Sequence, residues 1–163
     1  MGELDLVGIR DASADDLAFI IDSWLASFRN SHFAGPISMR RYREVYRVEI
    51  CSLIDRPGVI VRVAYYRENP SQILGFLCFD RGRGNSIVHF AYVKKPFRRR
   101  GIFALLMNDA GIDTKRKFSY TYRTRAASEL TAKGARFERA RFDPFDARYD
   151  PEHKEEEHEA KED

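Results

Sequence analysis

The chain has little cysteine: Cys51 and Cys78 stand alone among 163 residues. Neither belongs to a Cys-x-x-Cys pair or a His/Cys ligand spacing. That argues against a disulfide scaffold, a zinc finger or a dithiol redox site, and both thiols read as reduced core residues. Histidine is also sparse. His32, His89, His153 and His158 lack ligand spacing, so no metal site is expected. No run reaches the roughly 18 apolar residues that a spanning helix needs, and the opening MGELDLVGIRDASADD is acidic and mixed where a signal peptide would be basic and then apolar. The expectation is a cytoplasmic protein with no membrane partner. Internal repeats are absent, and low complexity is confined to the last residues.

What is present is the material of a core. Hydrophobic residues make up 44% of the chain and aromatics 13%, which suits one folded domain and excludes a disordered chain. The net charge of +3 hides an asymmetry. Residues 151–163, PEHKEEEHEAKED, hold 7 acidic and 2 basic residues, whereas residues 1–150 hold 26 basic and 18 acidic, a net +8. The expected organisation is a basic domain over 1–150 followed by an acidic, disordered tail over 151–163. Two readings of the tail stand: a solvated solubility segment, or a segment that folds back to compete for the basic surface.

Periodicity sets out the elements. Residues 6–10 read as a strand. Ser13 then caps a helix whose Leu17, Ile20, Ile21, Trp24, Leu25 and Phe28 fall at helical spacing. Ser38 caps a second helix to about residue 54, with Arg40, Arg41, Arg43 and Arg47 on its outer face. That face is either simply solvated or, with Arg29, a surface for phosphate or an anionic acceptor. Strands follow at 59–66 and 73–80 around a turn at 68–72, and a turn at 81–85 leads to a strand at 87–93. A helix at 102–112, a strand at 118–124, a short helix at 126–133 closed by Gly134 and a strand at 136–142 complete the chain.

The most informative stretch is VKKPFRRRGIFALLM, a strand end, a cationic turn and a helix start. A helix N-terminus aims unpaired N–H groups and its positive dipole end at one point, and Arg98, Arg99 and Arg100 add full charges there. That chemistry suits a phosphate or pyrophosphate. The stretch resembles the acyl-CoA signature Arg/Gln-x-x-Gly-x-Gly/Ala of the GCN5-related N-acetyltransferases, with Arg98 on the first position and Gly101 on the second. Phe103 stands where that family carries Gly or Ala; it either narrows the approach or turns into the core while Ala104 supplies the small residue. Leu74-Gly75-Phe76 resembles the family's third-strand glycine.

The resemblance implies an α/β fold over residues 4–145, with a mixed, mostly antiparallel central sheet flanked by helices and splayed between its fourth and fifth strands. It implies acetyl-CoA, or another acyl-CoA, as cofactor, and transfer of the acyl group to a primary amine. Ala91, Tyr92 and Val93 are then expected along the cofactor arm, with a backbone N–H near Val93 polarising the thioester carbonyl. Arg98, Arg99, Arg100, Gly101, Ile102, Phe103 and Ala104 are expected around the pyrophosphate. His89, on the strand where arylalkylamine-type members carry a histidine, is the candidate base or relay, and alternation puts it on the face of Ala91 and Val93. The tyrosine that protonates the departing thiolate in many members is missing, since Thr124, Ala127 and Thr131 occupy the family's Asn, Ala and Tyr positions. Tyr120 and Tyr122 are the substitutes, on opposite faces of one strand.

The acceptor is an amine on a small molecule or a macromolecule, and monomer and homodimer stay equally open. SWLASFRNS resembles small phage-encoded members of the fold, some of which modify nucleic-acid bases, so base modification with nucleic acid as partner is the rival reading. A third is a catalytically inactive binding module of the same fold.

Overall fold

The structure, a computed structural model, describes residues 2–81 and 85–144. The acidic tail expected at 151–163 and the middle of the turn expected at 81–85 lie outside the described residues.

Six strands form one sheet in sequence order: β1 (Val7–Asp11), β2 (Val59–Tyr66), β3 (Asn69–Asp80), β4 (Ile87–Val93), β5 (Phe118–Tyr120) and β6 (Ala140–Phe142). The first four pair antiparallel, and β5 joins β4, and β6 joins β5, in parallel. The helices α1 (Leu17–Ala26) and α2 (Met39–Ile54) cover one face; α3 (Ile102–Asp109) and the short α4 (Arg125–Thr131) belong to the other. This two-sided cover explains β3. Its residues from Ile73 to Phe79 are all buried, and a strand buried on both faces reads as the unbroken run ILGFLCF. Phe76 and Cys78 pack toward Trp24 and Ile50, while Leu77 and Phe79 pack toward Leu106 and Met107.

Local chemistry fixes the helix starts. Ser38 accepts a hydrogen bond from the Arg41 N–H at 3.2 Å and opens α2. Before α1 a 3-10 turn at Ala14–Asp16 intervenes, and the Asp16 carboxylate accepts from the Ser13 N–H at 2.7 Å and from Arg10 at 2.5 and 3.0 Å. The Arg10 hydrogen bonds hold that buried carboxyl down to about 2.

Several boundaries differ from the sequence reading. Residues 69–72, expected as a turn, belong to β3 because the β2–β3 hairpin closes around Arg67 and Glu68, with Tyr66 opposite Asn69. The α3 helix ends at Asp109, and β5 stops at Tyr120 because its pairing with β4 ends there. The last strand is Ala140–Phe142 alone, although Phe137 ahead of it is buried. Among the described residues no helix is long and apolar enough to cross a membrane.

Candidate functional site

β4 organises the site through the difference between its edges. Toward β3 it is paired from Asp80↔Ile87 to Gly75↔Val93. Gly75 makes the closest approach possible, since a Cβ there would lie 2.4 Å from the Tyr92 carbonyl oxygen. Between Cys78 and Phe79 the register slips, leaving His89 as one extra residue on β4, a β-bulge. The bulge resets the alternation. Val88 packs with Ala91 and Val93 in the α3-side core, whereas Phe90 packs with Trp24 on the α1 side. The period of two is broken between Val88 and Phe90 and holds from Phe90 to Val93, so alternation across the bulge does not give the face of His89.

Toward β5 the pairing covers two positions only, Ile87↔Ser119 and Val88↔Tyr120, and is closed by the Thr121 N–H donating to the Val88 carbonyl at 3.1 Å. Beyond this point the chain after β5 pairs with the loop after α1: Ser31 and Thr124 form an antiparallel bridge, and the His32 N–H donates to the Arg123 carbonyl at 3.0 Å. The strands diverge, as expected. On the other edge the Lys94 N–H donates to the Leu74 carbonyl at 2.8 Å, so antiparallel alternation turns the N–H and C=O groups of Ala91 and Val93 into the gap. Arg98 Nε donates to the Val93 carbonyl at 2.9 Å, and Tyr92, on the α1 side, packs on Phe19 and Phe76.

The cationic turn follows directly. A 3-10 turn at Lys95–Phe97 leads to Arg99, whose φ of 63° makes it the single non-glycine left-handed residue among those described, and Gly101, with φ 84°, sits at the N-cap of α3. The first helical bond runs from the Leu105 N–H to the Gly101 carbonyl at 2.9 Å. The N–H groups of Ile102, Phe103 and Ala104 thus have no acceptor within the helix, and no side chain caps them. Phe103 turns into the core, edge-to-face on Phe137 with ring centroids 5.6 Å apart, and Ala104 follows it half-buried. Arg100 is held by Glu3, and Leu4 packs against Gly101, so the start of the chain lies over this turn.

The three candidate proton-transfer residues separate. His89 is 2% exposed, its Nδ1 lies 3.0 Å from Thr121 Oγ1, and its Nε2 is one of two buried side-chain polar atoms among the described residues without a partner. Burial pushes the imidazole down to about 4, leaving it neutral at pH 7. Tyr120 and Tyr122 do lie on opposite faces. Tyr120 faces the α3 side, with its hydroxyl 3.1 Å from Thr131 Oγ1. Tyr122 faces α1 and α2, its hydroxyl 2.7 Å from that of Tyr42 and 3.0 Å from Ser27 Oγ, inside a cage of Trp24, Phe33 and Tyr46 rings.

One feature escapes sequence reading. Arg29, Asn30, Ser31 and His32 from the loop after α1, with Arg123, Thr124, Arg125 and Ser128 from the β5–α4 junction, line an open cavity of about 370 Å³. Arg29 and Thr124 stand out in the sequence, Arg29 beside the α2 arginines and Thr124 at a family motif position; of the companions expected for Arg29, Arg40 pairs with Glu44 and Arg47 with Asp22. Nothing local in the sequence joins residue 29 to residue 123. Among the described residues no cluster of three metal-ligating side chains occurs.

No family model matches the chain, and no curated protein matches it in sequence. Among solved structures, a protein of Pyrococcus furiosus assigned to the acetyl transferases superposes with TM-score 0.54 at 20% identity, covering 64% of this chain and 72% of that one. A protein of Clostridium difficile 630 similarly assigned gives TM-score 0.47 at 20% identity over 65% and 69% of the two chains. The PaiA N-acetyltransferase of Thermoplasma acidophilum, solved with coenzyme A, gives 0.46 at 19% over 64% and 69%. Together with the strand order and the parting of β4 from β5, the Pyrococcus likeness establishes that this chain has the fold of the GCN5-related N-acetyltransferases.

Proposed function

We propose that the protein is an acyl-CoA-dependent N-acyltransferase that uses acetyl-CoA to acylate a primary amine. The observation that carries this is the gap between β4 and β5, opening next to the uncapped start of α3. Backbone N–H and C=O groups line the gap, and an anion-receptive turn stands at its end, a polar track matched to a long arm that ends in a pyrophosphate. The residues present fit acyl-CoA: the N–H groups of Ile102, Phe103 and Ala104 with Arg98, Arg99 and Arg100 for the pyrophosphate, and the inward-turned N–H and C=O of Ala91 with the N–H of Val93 for the arm. When bound, acyl-CoA supplies the thioester that carries the acyl group.

The chain's own residues then have four tasks. The Val93 N–H, directed into the gap, polarises the thioester carbonyl as a preoriented backbone dipole. Tyr120 donates the proton that the leaving thiolate needs. Its hydroxyl meets Thr131, the position at which many proteins of this fold place their tyrosine, so a side chain from β5 reaches the spot that α4 leaves short. Tyr122 points to the other face and is bound into the Tyr42–Ser27 hydroxyl network, which suits positioning. His89 acts through its unpartnered Nε2, which in the neutral ring accepts a proton by way of a bridging water. A base held near 4 is too weak to take an amine proton outright, so its part is a relay.

Calorimetric titration with acetyl-CoA, and separately with CoA, is the test. Micromolar binding that weakens at least tenfold in an Arg98→Gln/Arg99→Gln variant, followed by acetylation of a panel of primary amines, is the expected result. Absence of any binding heat and of thermal stabilisation would leave the fold acting as a binding module.

A further inference from the structure

We propose that the cleft of Arg29, Arg123 and Arg125 is a phosphate-ester site that holds the acceptor amine by an anionic group; this rests on the acyltransferase reading. The cavity of about 370 Å³ is lined by Arg29, Arg123 and Arg125 together with Asn30, Ser31, His32, Thr124 and Ser128, with no acidic residue among them. Arg29 and Arg123 make no ion pair among the described residues, and Arg125 has only Glu129, one turn along the same exposed helix face. Arg29 and Arg123, which have no counter-charge among the described residues, repel one another, and an anion entering the cleft removes that cost.

The cleft is also built. The Ser31–Thr124 bridge and the His32–Arg123 hydrogen bonds tie its two walls together, and the Arg123 guanidinium lies 4.7 Å over the Phe142 ring, which fixes where the charge stands. Burial, with the Arg123 charge, holds His32 below its ordinary range. Three arginines around one cleft, each a forked donor, match the three oxygens and near-double charge of a phosphate monoester better than a single carboxylate. Position completes the argument. One wall of the cleft is the segment that directly continues β5, the arm that leaves β4 at the gap, so an acceptor anchored here extends its amine toward the thioester.

The test uses the full chain at low ionic strength, in an Arg98→Gln background so that the cationic turn does not answer for the cleft. Inorganic phosphate is titrated by calorimetry against Arg29→Gln, Arg123→Gln and the double variant. Phosphate binding that falls about tenfold or more in the double variant is expected, with acetyl-CoA affinity of the same two substitutions in the otherwise native chain unchanged within about twofold. Phosphate binding that is absent, or indifferent to both arginines, overturns the site whatever the protein does with acetyl-CoA. Loss of acetyl-CoA affinity on replacing Arg29 and Arg123 also overturns it, because the cleft would then belong to the cofactor. Arginine-dependent phosphate binding in a chain that ignores acetyl-CoA removes the acyltransferase reading and leaves the anion site standing. O-phosphoethanolamine and a short DNA duplex, offered as acceptors and competitors, then separate a small phosphorylated amine from a nucleic-acid phosphate as the source of the group.

Discussion

The two edges of β4 carry the same backbone chemistry and are put to opposite uses. The edge toward β3 is paired from Ile87 to Val93 except at the His89 bulge, closed so tightly that a Cβ at Gly75 would meet the Tyr92 carbonyl at 2.4 Å. The edge toward β5 is paired at two positions and then left open. Unpaired strand groups are ordinarily a liability, inviting another strand or costing desolvation when buried. Here they survive because the closed edge holds them rigidly. One edge supplies the stability with which the other keeps a polar gap. The bulge at His89 stands where the open edge begins, and it is there that a buried imidazole is left with an unpartnered nitrogen.

If the closed edge bears the load, damage to it should cost the most. Gly75→Ala forces β3 and β4 apart and is expected to lower unfolding free energy by about 3 kcal/mol, the upper range for overpacking, read from the urea midpoint; a change within about 0.5 kcal/mol would show that the close approach is not needed. The fork itself is tested by pH. With His89 held at about 4 in the fold and near its ordinary 6.5 when unfolded, the unfolded chain binds more protons between those values. Stability is then complete above pH 6.5 and falls as pH drops toward 4, by about 3 kcal/mol in all. His89→Gln should flatten this dependence, and if the native slope persists in the variant, another group is responsible.

The open edge should answer in binding more than in stability. Arg98→Gln removes the guanidinium that joins the Val93 carbonyl to the cationic turn, and is expected to weaken acetyl-CoA by about tenfold, the scale of one charged hydrogen bond, with little change in melting temperature. A large drop in melting temperature instead would make Arg98 a brace of the closed structure. The smallest effect is expected at Glu3, whose carboxylate holds Arg100 on the exposed side of the turn. Glu3→Gln should free that cation and tighten acetyl-CoA by about twofold, as befits a surface ion pair. Weaker binding would mean that Glu3 orients Arg100 for the phosphate.

Much of this is legible before any coordinates. The strand at 87–93 appears where expected because its apolar run is short, β-rich and stopped by Lys94-Lys95-Pro96, and α3 starts at Ile102 because Gly101 permits the left-handed cap. Ser38 announces α2 for the same local reason. The bulge is not legible, since one inserted residue against β3 leaves no trace in β4's own composition. Nor is the short β5: Phe118 to Thr124 alternates throughout, and only the loss of β4 as partner ends the strand at Tyr120. The Tyr42–Tyr122 hydroxyl pair and the arginine cleft join residues so distant in the chain that no periodicity relates them.

The sequence by itself determines the elements, the cationic turn and the class of anion that the turn suits, because propensity, capping and helix-end electrostatics act over a few neighbouring residues. Tertiary structure alone decides that β4 and β5 part after Val88, that Tyr120 and not Tyr122 faces α3, and that Arg29 meets Arg123. Those outcomes depend on which distant backbone groups find one another, and that choice is made by the packing of the whole sheet between its two layers of helices.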